Sequence, residues 1–208
     1  MSGCATGGES IACSDGRRFA RRGLIGGAFA GAAVLGGAPF LARAAGVFAS
    51  AGGGQDTRIL NLVLRLEYTE AAFYAGALRR GSLRGELREY AQTVLEHEQA
   101  HLQFLRKALG TKAVPRPMFD FGNATRSANA FTRTAIKLED LAVAGYNGQA
   151  TNLSTGALGA AAKIVSVEAR HAAWIRAIAG EVAAPDAVDK PVTAAEVERG
   201  LKQIGMRA

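Results

Sequence analysis

Two pairs of glutamate and histidine, each with a spacing of three residues, are the part of this sequence best suited to chemistry. The first pair is Glu98 with His101, and the second is Glu168 with His171. Residues three positions apart lie on the same face of a helix, so the carboxylate and the imidazole of each pair can reach one ion. Both pairs therefore have the spacing of metal ligands on a helix.

A lone glutamate lies upstream of each pair. Glu67 precedes the first pair by 31 residues, and Glu139 precedes the second by 29. Four carboxylates and two imidazoles from four helices can hold two metal ions in the core of a bundle. Carboxylates neutralise divalent cations, and nitrogen donors favour iron or manganese over calcium. We predict a site for two iron ions, with manganese as an alternative. A polar core without metal is the competing interpretation.

Apolar residues recur at helical spacing on both sides of each glutamate of this set. The pattern predicts helices over about residues 57–80, 86–109, 127–150 and 154–180, with every candidate ligand on the apolar face. A buried glutamate is costly unless it is paired or binds a metal. Placement on the buried face therefore favours the metal site.

The remaining segments complete an all-α fold, a four-helix bundle. Residues 111–126 contain Pro115 and Pro117 and show no helical pattern, which predicts a long crossover between helices two and three. Thr193 and Glu196 have the spacing of a capping box, which predicts a short C-terminal helix to about Ile204.

Two tyrosines repeat the pattern of the lone glutamates. Tyr74 and Tyr146 each lie seven residues, or two helical turns, after Glu67 and Glu139 respectively. A core tyrosine bonded to a ligand carboxylate is one interpretation. A redox or proton-relay role is the other, and it makes both tyrosines candidate catalytic residues.

Four further polar residues lie near the candidate ligands. His97 is off the apolar face, and we expect it at the surface or supporting a ligand. Glu70 and Glu96 also step off that face, and we expect them to be solvated, with metal ligation as the alternative. Asp140 is a candidate acceptor for the imidazole of a ligand.

The N-terminus has the features of an export signal. The pair Arg21 and Arg22 precedes an apolar run over residues 24–41, and small residues at Ala42 and Ala44 suit cleavage before Ala45. A second pair, Arg17 and Arg18, is the alternative export motif. We expect the twin-arginine export machinery as a partner and a periplasmic or exported location; a retained membrane anchor is the alternative. The predicted domains are a signal peptide (1–44), a linker (45–56), the bundle (57–182) and a tail (183–208).

Charge and cysteine content exclude other classes of function. The net charge of +7 over 208 residues includes +3 from residues 1–44, where five arginines oppose two acidic residues. The remaining +4 is a mild excess, and we expect no nucleic-acid partner. Cys4 and Cys13 both precede the apolar run, so the mature protein would contain no thiol or disulfide chemistry.

The spacing of the candidate ligands resembles that of the ferritin-like superfamily, and most closely the exported bacterial ferritin-like domain proteins of the desiccation-related type. The resemblance covers about residues 57–180 and implies that the six ligand candidates match the di-iron ligands of that superfamily one for one. The repeated Glu-x-x-His is similar to bacterioferritin, rubrerythrin and manganese catalase. Bacterioferritin has a haem-binding methionine where this chain has Gln99, so we expect no haem.

The resemblance implies a di-iron oxidoreductase that reacts Fe(II) with dioxygen or peroxide in stress protection. Manganese in the same ligands would imply a catalase. A non-enzymatic metal-binding stress protein and a metal-free structural bundle are the alternatives, and association into a homo-oligomer is left open.

Overall fold

The computed structural model describes residues 53–207 of the chain. The expected signal peptide over 1–44 lies outside the described residues, as does the expected linker up to residue 52. Residues 53–56, expected at the end of that linker, form the first turn of a helix instead.

Five α-helices make up most of the described chain, and the fold is all-α as predicted. They are α1 (Gly53–Arg80), α2 (Gly85–Leu109), α3 (Ala128–Gln149), α4 (Thr155–Ala179) and α5 (Ala194–Ile204). Single 3-10 turns, Gly110–Lys112 and Ala150–Asn152, follow α2 and α3. The four long helices form the bundle, and α5 is the short C-terminal helix.

The bundle consists of two helical hairpins. Short turns join α1 to α2 and α3 to α4, so each pair is antiparallel. Across the hairpins, α1 packs beside α3 and α2 beside α4. Apolar side chains fill the core between them, among them the fully buried Leu64, Phe73, Phe131, Leu138 and Ile175. Burying each such side chain stabilises the fold by about 1.5–3 kcal/mol.

Local capping residues set the helix ends. Ser127 and Ser154 each accept a hydrogen bond from the first turn of the following helix, α3 and α4 respectively. Thr193 and Glu196 form both bonds of a capping box at the start of α5, as predicted. Gly180 ends α4 in the left-handed conformation that favours glycine, with φ of 76°.

The long crossover between α2 and α3 is held to the bundle at two places. The side chain of Asn61 on α1 donates to the carbonyl of Lys112 (2.9 Å) and accepts from the amide of Val114 (2.8 Å). Farther along, β1 (Met118–Phe119) pairs antiparallel with β2 (Met206–Arg207), a ladder that the sequence pattern did not predict. The crossover and the segment after α5 therefore stabilise each other through this ladder.

Helix α5 and the segment before it cover the groove between α1 and α3. Val197 and Leu201 of α5 are fully buried. Glycines on α3 permit this close packing: a β-carbon at Gly148 would lie 1.8 Å from the carbonyl oxygen of Val192, and one at Gly145 would lie 3.0 Å from the side chain of Val197. Within residues 53–207, none of the helices combines the length and apolar character needed to span a membrane.

The packing at Gly148 predicts a destabilising substitution. Gly148→Ala should lower the free energy of unfolding by about 1–3 kcal/mol, because the added methyl group meets backbone that must move. Gly159→Ala on α4 is the matched control, since no atom lies within 4 Å of its added methyl group; it should raise stability by up to about 1 kcal/mol through helix propensity. Chemical denaturation of both variants measures the difference, and equal effects would contradict the packing described.

Candidate metal centre

The structure brings all six predicted ligands together at the centre of the bundle. Glu67 comes from α1 and Glu139 from α3, while α2 and α4 each contribute one Glu-x-x-His pair. All four carboxylates are fully buried and His171 is 2% exposed. The bundle therefore encloses the set on the predicted helix faces.

Three carboxylates surround the first imidazole. The Nδ1 atom of His101 lies 3.1 Å from Glu67, 3.2 Å from Glu98 and 2.9 Å from Glu168. Two of these glutamates come from the same hairpin as the histidine, and the third comes from α4. The contact with Glu168 therefore crosses between the hairpins.

The second imidazole repeats this arrangement. The Nδ1 atom of His171 lies 3.1 Å from Glu168, 3.5 Å from Glu139 and 3.2 Å from Glu98. Here it is Glu98 that crosses between the hairpins. Glu67 thus contacts only the first imidazole and Glu139 only the second, whereas Glu98 and Glu168 contact both.

The shared carboxylates have the orientation of bridging ligands. Oε2 of Glu98 faces His101 while Oε1 faces His171. Oε1 of Glu168 faces His101 while Oε2 faces His171. Donor atoms within 4.8 Å of one another form two groups, one with His101 and one with His171, and Glu168 belongs to both. Each of the two groups could hold a metal ion.

A metal fits this site because the protein alone cannot satisfy its oxygens. Each Nδ1 atom carries at most one proton but faces three carboxylate oxygens. Among the described residues, one buried oxygen each of Glu98, Glu139 and Glu168 has no hydrogen-bond partner. Buried carboxylates without partners are destabilising unless they coordinate a cation. Mixed carboxylate and imidazole donors suit iron or manganese.

Burial and mutual charge shift the pKa values of the carboxyl groups. Burial, followed by the charges of Glu168 and Glu67, raises the pKa of Glu98 well above its usual value. Burial also raises the pKa of Glu139, although the bond to His171 opposes it. Burial acts the same way on Glu168, but the hydrogen bonds from both imidazoles outweigh it and lower the pKa of Glu168 to about 2.

Burial acts on the imidazoles in the opposite direction, because it disfavours their charged form and lowers the pKa. Burial alone would lower the pKa of His171, but the hydrogen bonds that Glu139, Glu168 and Glu98 accept from it outweigh burial and raise that pKa to about 12. The pKa of His101 is also raised, because the carboxylates around it outweigh its burial. Both imidazoles of the metal-free protein therefore hold protons that a metal ion must displace.

Each candidate tyrosine bonds to the lone glutamate of the other hairpin. The hydroxyl of Tyr74 on α1 donates to Glu139 on α3, and the hydroxyl of Tyr146 on α3 donates to Glu67 on α1 at 2.6 Å. Burial and then the nearby carboxylate raise the pKa of both tyrosines well above the usual value. Both therefore remain protonated donors at neutral pH.

A third tyrosine extends this network toward the surface. The hydroxyl of Tyr90 on α2 lies 3.0 Å from that of Tyr74, and its ring packs edge-on against Trp174 at 5.1 Å. Tyr90 was not among the residues predicted from the sequence. Tyr90 lies eight residues before Glu98, slightly more than two helical turns. This spacing could have placed Tyr90 on the helix face that carries Glu98.

The outer residues depart from expectation at two positions. Glu70, expected in solvent, is fully buried at the centre, so that prediction was wrong. Asp140, expected to accept from an imidazole, pairs with Arg176 instead. Glu96 is exposed as expected. His97 supports a ligand, because its Nδ1 lies 2.8 Å from Nε2 of His171 and the two rings stack.

A groove between α2 and α4 leads to the imidazoles. It encloses a cavity of about 580 Å³ lined by His101, His171 and His97 together with mainly apolar side chains, and Lys163 and Arg170 also line it. The groove between α1 and α3 is covered by α5. The α2–α4 side is therefore the open approach to the buried cluster in the described part of the chain.

Comparison with known families agrees with this fold. Residues 55–181, more than half of the chain, match the sequence model of the ferritin-like domain family. The chain therefore belongs to the ferritin-like domain family. No curated protein matches it.

The protonated imidazoles predict how the stability of the metal-free protein depends on pH. The pKa of His171 rises from an ordinary value of about 6.5 to about 12, so its contribution is complete below about pH 6.5 and is lost as the pH rises. The raised pKa values of Glu98 and Glu139 act in the same direction. The Tm of the metal-free protein should therefore fall between pH 6.5 and 8.5, by several degrees.

The metal-loaded protein is the control, because its ions replace those protons and bind more tightly as the pH rises. Scanning calorimetry of both forms over this pH range makes the comparison. A Tm of the metal-free protein that is constant or increases with pH would contradict the protonation described.

Proposed function

We propose that this protein is a dinuclear metal oxidoreductase, which uses two iron ions to oxidise Fe(II) or to remove peroxide. The observation that carries the proposal is the arrangement of Glu98 and Glu168, each of which presents one oxygen to each of two buried imidazoles. Membership of the ferritin-like domain family supports it.

The ligands divide between the two ions according to the contacts in the structure. Glu67 and His101 would hold one ion, Glu139 and His171 would hold the other, and the remaining two glutamates would be shared. Two bound Fe(II) ions would supply the two electrons that, with two protons, reduce one hydrogen peroxide to two water molecules. Anionic oxygens favour the oxidised ions because they offset the added positive charge.

The protein's own groups prepare the site for this chemistry. Tyr74 and Tyr146 each hold a proton at the hydroxyl oxygen and fix the orientation of one lone glutamate. We propose that both tyrosines also relay protons to the oxidant, each regaining a proton for every one it passes on, which would make both catalytic. The groove between α2 and α4 gives dioxygen or peroxide a path to the imidazoles.

We further propose that the protein is exported by the twin-arginine machinery and acts in stress protection. The support is the pair Arg21 and Arg22 before an apolar run, since this route carries proteins that have already folded. A buried metal centre that must be assembled before export suits such a route.

Export can be tested by replacing both arginines. The double variant Arg21→Lys, Arg22→Lys should leave the precursor in the cytoplasm, because the route requires the arginine pair. The matched control is Arg17→Lys, Arg18→Lys, which changes the neighbouring arginine pair. Cell fractionation and the N-terminal sequence of the exported protein are the measurements. Normal export of the first variant, or a block only in the second, would contradict this assignment.

Oxidation of Fe(II) tests the activity itself. Protein loaded anaerobically with two Fe(II) should consume dioxygen or peroxide faster than free Fe(II) at the same pH. Glu67→Ala and Glu139→Ala should each slow the reaction about 10- to 100-fold, the usual effect of disturbing a metal site. Glu96→Ala, at an exposed site on α2, is the control and should match the wild type.

Tyrosine variants separate a catalytic role from a structural one. Tyr74→Phe should leave two ions bound and change the oxidation rate, whereas Tyr68→Phe, at a buried tyrosine that lines a different depression, should change neither. A wild-type protein that holds two ions yet oxidises Fe(II) no faster than buffer would contradict the oxidoreductase. The site would then serve to stabilise the fold.

A further inference from the structure

Glu70 is a buried acid for which the protein provides no partner. It lies on α1 three residues after Glu67, and so on the same side of the helix. Its side chain is fully buried, and neither carboxylate oxygen has a hydrogen-bond partner among the described residues. A carboxyl group in this position has lost its hydration without gaining a hydrogen bond from the described residues.

The surroundings of Glu70 are acidic rather than basic. The charges of Glu98, Glu168, Glu139 and Glu67 all act on its carboxyl group. No ion pair to lysine, arginine or histidine forms at Glu70 in the described part of the chain. The two ligand imidazoles are already surrounded by other carboxylates. A cation supplied from outside is the partner that this environment lacks.

We propose that Glu70 is a fifth carboxylate ligand of the dinuclear centre. This inference rests on the proposed metal site and adds to the six ligands described above. Four charged carboxylates balance two divalent ions, and a fifth would offset part of the extra charge when both ions become trivalent. Glu70 would therefore bind the divalent ions and bind more strongly still when both ions are trivalent.

Ligation by Glu70 requires its side chain to move. The two groups of donors within 4.8 Å of one another do not include it. A change of side-chain torsion brings a glutamate carboxylate to a neighbouring position on the same helix face, and no hydrogen bond at Glu70 opposes that change. The absence of a partner thus leaves this carboxylate free to respond to the ions.

Metal binding by the full-length protein tests the inference. Glu70→Gln keeps the size of the side chain but removes its charge, and it should weaken the binding of at least one Fe(II) or Mn(II) ion about 10- to 100-fold in anaerobic calorimetry. Glu96→Gln is the matched control and should bind as the wild type does, because Glu96 is exposed.

Two further measurements distinguish a ligand from a residue that merely supports the fold. The absorption bands of Co(II)-loaded protein report coordination number, and Glu70→Gln should change their intensity. The metal-free variant Glu70→Leu should melt about 2–4 °C above the metal-free wild type, because it removes a buried polar group that lacks a partner. A structural role predicts the opposite: lower stability and an unchanged Co(II) spectrum.

The outcomes separate this inference from the proposed function. If the wild type binds two ions and Glu70→Gln binds both with the same affinity and the same Co(II) spectrum, the fifth ligand is wrong and the dinuclear site stands. If the wild type binds no ions, both the dinuclear site and the fifth ligand are contradicted. Weaker binding in Glu70→Gln together with a higher Tm in metal-free Glu70→Leu supports the inference.

Discussion

The burial of five glutamates at one place is the constraint on which the rest of the structure depends. All five are fully buried, and the cationic groups paired with them among residues 53–207 are two imidazoles. A protein interior cannot hold so much negative charge without compensation. Protons on the imidazoles and raised carboxyl pKa values compensate in part, but oxygens without partners remain. Two divalent cations would supply the missing charge and coordinate those oxygens.

The same constraint explains why two hairpins form one bundle. Neither hairpin contains a complete site, since Glu168 reaches the imidazole of α2 and Glu98 reaches that of α4. The tyrosine bonds also cross between the hairpins. Any ion bound between the shared carboxylates therefore links the two halves of the fold. Helix α5 covers one side of the bundle, and the groove on the other side leaves the imidazoles accessible.

The sequence predicts the features that depend on local spacing. Helix periodicity located the four long helices and the six candidate ligands, and Thr193 with Glu196 located the start of α5. Features set by tertiary packing were missed. The width of the buried face of α1 depends on how its neighbours pack, so Glu70 was misplaced in solvent. Asp140 pairs with Arg176 from another helix, and β1 pairs with a strand 88 residues away, from Met118 to Met206.

The most direct test of the central claim is an anomalous diffraction map of crystals of the protein loaded with Mn(II) or Fe(II), recorded at the metal absorption edge. A dinuclear site predicts two peaks per chain within the bundle, one beside His101 and one beside His171, with Glu98 and Glu168 shared between them. A single central peak, or peaks only at the surface, would contradict it.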